Sequence, residues 1–179
     1  ISDVGRVGGK NASLGEMYSN LSAQGIKVPD GFAVTAHAYQ VFLKEAGLEE
    51  KIAQILSSID KNSIEDLRLK GNEIRQLILS SNIPASLAES ITKAYEKLCG
   101  KYGENTDVAV RSSATAEDLP GASFAGEQET FLNISGIESL LESVKKCFAS
   151  LFTDRAISYR EDKGFEHTKV YLSVGVQKM

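Results

Sequence analysis

A strand-like run that ends in an arginine and is followed by small residues constrains this sequence more than any other feature. Val108 and Val110 are β-branched, which favours a strand that delivers Arg111. The residues from Ser112 to Gly126 are mostly small, hydroxylated or glycine, and they bring little apolar surface to bury. We therefore predict a long loop after Arg111. Ordered loops of this length are usually lids or binding loops.

The chemistry of this segment suits an anion. Arg111 would stand beside serine hydroxyls and glycine N–H groups, and a planar guanidinium with such donors matches the oxygens of a phosphate group. The chain carries a net charge of −4, which argues against a general nucleic-acid-binding protein. Any anion site must therefore be local and built from a few cations. The competing interpretation is a surface loop with a solvated arginine, and composition alone leaves both open.

A second candidate cation lies near the start of the sequence. Residues 8–11 read Gly-Gly-Lys-Asn and lead into a predicted helix that ends at Gly25. Lys10 would lie beside backbone N–H groups at a helix N-terminus, an arrangement that favours a bound anion. The segment is not a Walker A loop, because its glycine spacing is short and Asn11 stands where serine or threonine would hold magnesium. A solvated lysine after a Gly-Gly turn is the alternative.

Helical and strand patterns separate along the chain and predict an α+β fold. A helical block is predicted over about residues 36–100, and a sheet-containing part over about 105–179. Within the second part we predict a strand at 128–132, an amphipathic helix that carries Leu140 to Leu151, and a helix over 154–163. The last stretch alternates with a period of two, which predicts a strand with one buried side. Its apolar positions are Val170, Leu172, Val174 and Val176, and its other positions are Tyr171, Ser173, Gly175 and Gln177.

Cysteine usage and hydropathy exclude several classes of protein. Cys99 and Cys147 lie in helix-like segments without CxxC or Cys/His spacing, so we predict two reduced thiols in a cytoplasmic protein, with neither a disulfide nor a zinc site. No secretory leader or long apolar run is present in the sequence, so neither secretion nor a membrane partner is expected. Because the chain starts at Ile1 and stops inside a predicted strand, we expect it to be a piece of a longer protein.

Several separated segments resemble one known family. The segments Val7–Met17, Val28–Thr35, Ala109–Pro120 and Ala122–Asn133 are similar, in this order, to the dikinases that make or use phosphoenolpyruvate. A further segment, Phe148–Arg160, resembles the pyruvate, water dikinases of that family most closely. The resemblance covers nearly the whole chain, and the helical middle is its least distinctive part.

The resemblance implies a fold and an activity. It implies that residues 1–179 are the incomplete N-terminal part of one ATP-grasp-type nucleotide-binding domain, in which the nucleotide lies between two lobes. The complete enzyme would use ATP and Mg²⁺ to phosphorylate a histidine on a mobile domain and then pyruvate, releasing AMP and phosphate. This part alone is expected to be inactive. The alternatives are the same domain in a pyruvate, phosphate dikinase or a rifamycin phosphotransferase, and a non-catalytic nucleotide-binding module.

The resemblance also assigns roles to individual residues. Lys10 and Arg111 match the family's catalytic cations, which bind the phosphates of ATP. The other matched positions hold phosphates through backbone N–H and hydroxyl groups or meet the adenine, and they are Gly126, Thr130, Gln177 and Met179, the last through its backbone.

The sequence departs from the family pattern at one position, and some functional groups are expected elsewhere. Glu127 stands where the family usually has glutamine, so it receives no role. The acidic magnesium ligands and a further arginine are expected beyond residue 179. His37 and His167 do not lie in a matching histidine motif, so the histidine that relays the phosphoryl group is also expected elsewhere.

Overall fold

The computed structural model describes residues 3–60, 63–115 and 129–179. Within these ranges the chain forms seven α-helices and four strands, which confirms the α+β class. Residues 116–128, which include Gly126 and most of the predicted loop, lie outside the described residues. The helices are α1 (Val4–Leu21), α2 (Ala36–Glu45), α3 (Glu49–Ser57), α4 (Ile64–Ser80), α5 (Ala85–Tyr102), α6 (Ile137–Ser150) and α7 (Asp154–Lys163), and the strands are β1 (Gly31–Val34), β2 (Val108–Ala114), β3 (Thr130–Ile134) and β4 (Leu172–Lys178).

The strands of the described residues form one antiparallel sheet in the order β1-β4-β2-β3. The long central pair runs from Val108 opposite Lys178 to Ala114 opposite Leu172. The β2–β3 pair is shorter and carries an irregularity between Val108 and Val110. β4 therefore lies between two neighbours and forms the centre of the sheet together with β2.

One face of the sheet packs on the helices and forms the hydrophobic core. The β-branched side chains of β2 and β4 on this face are fully buried. Phe148 of α6 lies behind them, with its ring 5.1 Å from that of Tyr39 and 5.4 Å from that of Phe42. The predicted apolar stripe of α6 is confirmed, because Leu140, Val144 and Phe148 have no solvent exposure.

The opposite face of the sheet is covered in part by α1. The alternation in β4 predicted that only one face would be buried, and this is wrong for residues 172–176, which are buried on both faces. Ser173 is completely buried because its hydroxyl contacts α1, where it donates to the Val7 carbonyl and accepts from Asn11 Nδ2. Ser173 and Gly175 are small because a helix lies against them.

One predicted boundary needs correction. The segment after Arg111 was predicted to be a loop from Ser112, but β2 continues through Ala114 because these residues pair with β4 in register. Buried apolar surface was the wrong criterion for this segment, since backbone pairing and a close helix hold it. The helix predicted to follow residues 8–11 is confirmed, because α1 breaks at Gly8 and its longer helical part starts after that glycine, although a short helical stretch from Val4 precedes the break.

Most other elements agree with the sequence patterns. α7 spans the predicted residues, and β3 begins two residues later than the strand predicted at 128–132. Hydroxyl side chains accept backbone N–H bonds at three helix starts, at Thr35, Ser63 and Thr153. Gly25 has a left-handed backbone and ends the short helical turn that follows α1. In the described ranges, every helix is too short or too polar to serve as a membrane span.

Candidate functional site

Arg111 lies in the middle of β2, on the sheet face opposite the core. Its partner is Gly175 on one side and Thr130 on the other, so these three residues form a row across the sheet. Directly paired residues of antiparallel strands project from the same face. Arg111 is half-buried, and its guanidinium makes no hydrogen bond or ion pair with the residues that the structure describes.

The helix that carries Lys10 lies over the same face. Asn11, the next residue, donates to the Ser173 hydroxyl over 2.9 Å and packs on Gly175, the partner of Arg111. Lys10 is half-buried and lies in the first helical turn after the break in α1 at Gly8. The structure thus brings the backbone segments of the two predicted cations together, although they are about a hundred residues apart in the sequence.

Two glycines permit this approach. Gly8 has a φ of 73°, and a Cβ there would lie 2.2 Å from Ser113 Oγ and 2.8 Å from the Ser113 carbonyl oxygen. A Cβ on Gly175 would lie 2.3 Å from Asn11 Oδ1. A side chain at Gly8 would push α1 away from β2, which holds Arg111, because the clash includes backbone atoms, whereas a side chain at Gly175 would displace the side chain of Asn11. Sequence reasoning missed this function of Gly8, although glycine often marks a position where the backbone lies close to another part of the molecule.

A cleft of about 300 Å³ lies between α1 and the β1–β4 side of the sheet. Asn11, Leu14 and Tyr18 line it from the helix, and Gly31 and Gln177 line it from the sheet. Its volume is at the lower end of the range for small-molecule pockets. Gln177, which was predicted to lie near adenine, therefore borders a cavity on the same face as Arg111.

The end of β4 is held by backbone bonds from both neighbouring strands. The N–H of Lys178 donates to the Asp30 carbonyl over 2.8 Å, and the N–H of Met179 donates to the Asp107 carbonyl over 3.0 Å. The side chain of Met179 is exposed, and its sulfur accepts from the N–H of Asn133 over 3.2 Å. Both backbone groups of Met179 thus have partners in this structure, because its carbonyl accepts from Lys178 Nζ.

A charged cluster at the rim of the cleft was not found by sequence reasoning. We call it the Asp30 cluster, and it consists of Asp30, Lys101, Tyr102 and Tyr18. Lys101 Nζ lies 2.6 Å from Asp30 Oδ2 and 3.4 Å from the Tyr18 hydroxyl, and the Tyr102 hydroxyl donates to Asp30 over 3.2 Å. Burial raises the pKa of Asp30, but the bonds from Lys101, the Gly31 N–H and Tyr102 together lower it below its ordinary value. The bond to Asp30 raises the pKa of Lys101.

The remaining residues considered from the sequence are Thr130, Gly126 and the two histidines. Thr130 is exposed at the start of β3, beside Arg111, whereas Gly126 lies outside the described residues. His37 is exposed on α2. His167 contacts Arg160 Nε over 2.9 Å and Glu161 Oε1 over 2.8 Å, and neither its ring nor that of His37 lines the cleft.

Neither cysteine forms a disulfide, and no metal cluster appears in the described ranges. Cys99 and Cys147 are free, and Cys147 is buried, which raises the pKa of its thiol. No group of three or more His, Cys, Asp or Glu side chains among residues 3–60, 63–115 and 129–179 is placed to hold a metal ion.

A larger cavity of about 540 Å³ lies elsewhere, where α4, α6, α7 and β3 meet. Cationic side chains line it, but two of them already pair with other groups of the protein. Arg75 donates to the Phe152 carbonyl over 2.6 Å and lies 3.4 Å from Asp154, and Lys146 lies 2.7 Å from Glu142. Among the described residues, none of those predicted to bind nucleotide lines this cavity, whereas Gln177 lines the cleft beside α1. We therefore place the candidate site at the cleft beside α1.

Comparison with known proteins identifies the family. Residues 4–179 match the model of the pyruvate phosphate dikinase AMP/ATP-binding domain. This chain belongs to that family. It is 56% identical over 182 residues to a phosphoenolpyruvate synthase of Synechocystis, which covers 99% of the chain and 22% of the relative. The phosphoenolpyruvate synthase of Aquifex aeolicus is 56% identical over 180 residues, with 100% of the chain and 21% of the relative covered.

The identity to the phosphoenolpyruvate synthase of another bacterium is nearly as high. The phosphoenolpyruvate synthase of Escherichia coli is 51% identical over 179 residues, with 100% of the chain and 22% of that protein covered. This dikinase-family chain therefore spans about a fifth of the length of the curated relatives it matches. The resemblance that the sequence motifs predicted is confirmed.

Proposed function

We propose that this chain is the ATP-binding portion of a phosphoenolpyruvate synthase. The observation that carries the proposal is the match of residues 4–179 to an AMP/ATP-binding domain, together with relatives of this name at 51–56% identity. The complete enzyme would use ATP to phosphorylate one of its own histidines and then pyruvate, giving phosphoenolpyruvate, AMP and phosphate. Because this chain spans about a fifth of its relatives, that activity belongs to the longer protein.

In this proposal, Lys10 and Arg111 supply positive charge to the phosphates of ATP. Phosphoryl transfer depends mainly on positioning and on stabilising charge, and two cations from distant segments suit that task. Thr130 would add its hydroxyl from the strand beside Arg111, and Gly126 would add a backbone N–H. The shared sheet face of Arg111 and Thr130 and the packing of α1 beside Gly175 support this arrangement.

The adenine is assigned to the cleft beside Gln177. The side chain of Gln177 would provide polar contacts, and Met179 would contribute through its backbone. A second lobe, outside this chain, would close on the nucleotide in the manner of an ATP-grasp-type domain. The cleft between α1 and the β1–β4 side of the sheet supports this placement because it is continuous with the face that carries Arg111.

Magnesium and the relay histidine are assigned to the remainder of the enzyme. The described residues offer no cluster of metal ligands, so Mg²⁺ would be held by acidic groups outside them. His167 is engaged by Arg160 and Glu161 in a site remote from the cleft, which makes it a poor acceptor of a phosphoryl group. Pyruvate and the phosphohistidine domain would be partners only in the complete enzyme.

The test is ATP binding by the full-length enzyme, measured by isothermal titration calorimetry. We expect Lys10→Ala and Arg111→Ala each to weaken binding by about tenfold to a hundredfold, since a charge-assisted hydrogen bond contributes roughly 1.5–3 kcal/mol. Lys93→Ala and Arg68→Ala are the matched controls, because both side chains are exposed on helices away from the cleft. If the site variants bind ATP as tightly as the controls, the phosphate assignment is wrong.

A second candidate is the same domain in a pyruvate, phosphate dikinase, which the match to the pyruvate phosphate dikinase AMP/ATP-binding domain favours. The two enzymes differ in the acceptor of the second phosphoryl group. The synthase uses water and releases phosphate, whereas the dikinase uses phosphate and releases pyrophosphate. Turnover of the full-length enzyme without added phosphate, followed by an assay for both products, separates them.

A further inference from the structure

Asp30 connects the turn before β1 to the end of β4. Its carbonyl accepts the N–H of Lys178 over 2.8 Å, and its carboxylate accepts the N–H of Gly31 over 2.8 Å. Gly31 is in turn the partner of Gln177 across the sheet. A single residue therefore fixes both the strand end that follows Gln177 and the residue that faces Gln177.

The carboxylate of Asp30 is itself held from outside the sheet. Its side chain is only 19% exposed, and Lys101 Nζ and the Tyr102 hydroxyl donate to it over 2.6 Å and 3.2 Å. Lys101 also reaches the Tyr18 hydroxyl of α1 over 3.4 Å. The Asp30 cluster thereby joins α1, β1 and the last turn of α5 around one end of the cleft.

The same cluster contacts β4 from its other face. The ammonium group of Lys178 lies 5.6 Å from the centre of the Tyr102 ring, within the range of a cation–π interaction. Lys178 is the residue between Gln177 and Met179. The strand end is consequently held at its backbone by Asp30 and at its side chain by Tyr102.

We propose that Asp30 is a positioning residue that fixes the Gln177–Met179 end of β4 for recognition of the nucleobase. This inference rests on the proposed function, because it assigns the base to that strand end. Asp30 does not itself contact the nucleotide in this arrangement. Its contribution is preorganisation, since a strand end already held in place loses less freedom when a ligand binds. Loosening it should weaken contacts to the base and leave contacts to the phosphates unchanged.

The test separates these two ends of the ligand in the full-length enzyme. We expect Lys101→Met and Asp30→Asn to raise the KM for ATP by about three- to tenfold with little change in kcat, as for the loss of a moderate polar contact. Inhibition by tripolyphosphate, which has no base, should be unchanged. Tyr102→Phe removes one hydroxyl and keeps the ring, so a smaller rise in KM is expected. Lys101→Arg should restore most of the affinity.

Lys93→Met is the matched control. Lys93 also lies on α5 and pairs with a carboxylate, Glu89, over 2.6 Å, but it does not line the cleft. An unchanged KM in the Asp30 and Lys101 variants would overturn the inference, and so would an equal loss of affinity for ATP and tripolyphosphate, which indicates general damage. If those variants behave like Lys93→Met while Arg111→Ala still weakens ATP binding, the proposed function stands and only the role of Asp30 is wrong.

Discussion

At the scale of single residues, two glycines are important because they have no side chain. Gly8 and Gly175 are the points where α1 meets the sheet, and each would place a Cβ within 2.3 Å of another atom. At Gly8 a carbonyl oxygen of β2 also lies 2.8 Å from that position, so the contact cannot be relieved by turning a side chain alone. These contacts hold the segment of Lys10 close to Arg111.

We expect Gly8→Ala to lower the free energy of unfolding of this chain by about 2–4 kcal/mol. The left-handed φ of 73° and the clash with Ser113 both oppose a side chain at this position. Gly15→Ala, on the same helix with open space around it, should be neutral or raise stability by about 0.5–1 kcal/mol. Urea-induced unfolding measures both variants. Equal stability of the two would contradict the close approach of α1.

The Asp30–Lys101 contact should make stability depend on pH at the extremes only. The folded-state pKa of Asp30 lies below its ordinary 3.8, so its contribution is present above that pH and is lost as pH falls through the folded value. The raised pKa of Lys101 keeps the contact intact up to its ordinary 10.5 and beyond. The charged and titratable groups that face the pair are Tyr18, Tyr102 and Lys178.

The measurement is the difference in thermal midpoint between the unmodified chain and Asp30→Asn. We expect the unmodified chain to be more stable by a constant amount between about pH 5 and pH 9, with the difference shrinking below about pH 4. A difference that instead grows as the solution is acidified would have the wrong sign for a carboxylate with a lowered pKa.

At the scale of elements, the sequence predicted those parts whose own residues determine them. The helix α7 and the apolar stripe of α6 follow from periodicity, and β4 follows from alternation. The length of β2 was missed because it depends on contacts between distant segments. Ser113 has no hydrophobic reason to be buried, yet it is buried because β4 and α1 lie against it.

The candidate site was predictable to a similar extent. Arg111, Thr130 and Gln177 come from matched motifs, and the sheet brings them to one face. The Asp30 cluster was not predictable, because Asp30 and Lys101 are 71 positions apart and each resembles an ordinary surface charge. Only the fold shows that their contact lies at the rim of the cleft.

The packing of α6 on α2 supports the sheet from the core side. Phe148 has no exposure and stacks near Tyr39 and Phe42, so Phe148→Ala should cost about 3–5 kcal/mol of unfolding free energy. Leu69→Ala is the control, because Leu69 is 61% exposed on α4 and should change stability by less than about 0.5 kcal/mol. Chemical denaturation of both variants provides the comparison, and a loss at Phe148 no larger than at Leu69 would contradict the core described above.

At the scale of the whole molecule, the two faces of the sheet differ in how firmly they are covered. On the core side, half of the residues of α6 are buried. On the other side, only Gly8 and Ala12 of α1 are buried, and a cleft remains beneath the helix. A rigid sheet with one loosely covered face suits ligand binding, because the strands position the polar groups while the cover can adjust.

This asymmetry predicts a pattern of amide hydrogen exchange. Amides of β4 such as Val174 and Val176, which are paired on both sides, should exchange only through global unfolding, whereas those of α1 should exchange through local opening. In the full-length enzyme, ATP at about 100 times its Kd should slow exchange in α1 by up to about a hundredfold, since the opened helix no longer presents Lys10 to the phosphates. Exchange in α6 should not respond, because that helix packs on the opposite face.

Mass spectrometry of peptides from both helices, with Arg111→Ala as a variant that binds ATP weakly, would measure these exchange rates. Equal protection of α1 and α6 without nucleotide would contradict the loose cover. An α1 that does not respond to bound ATP would remove Lys10 from the site.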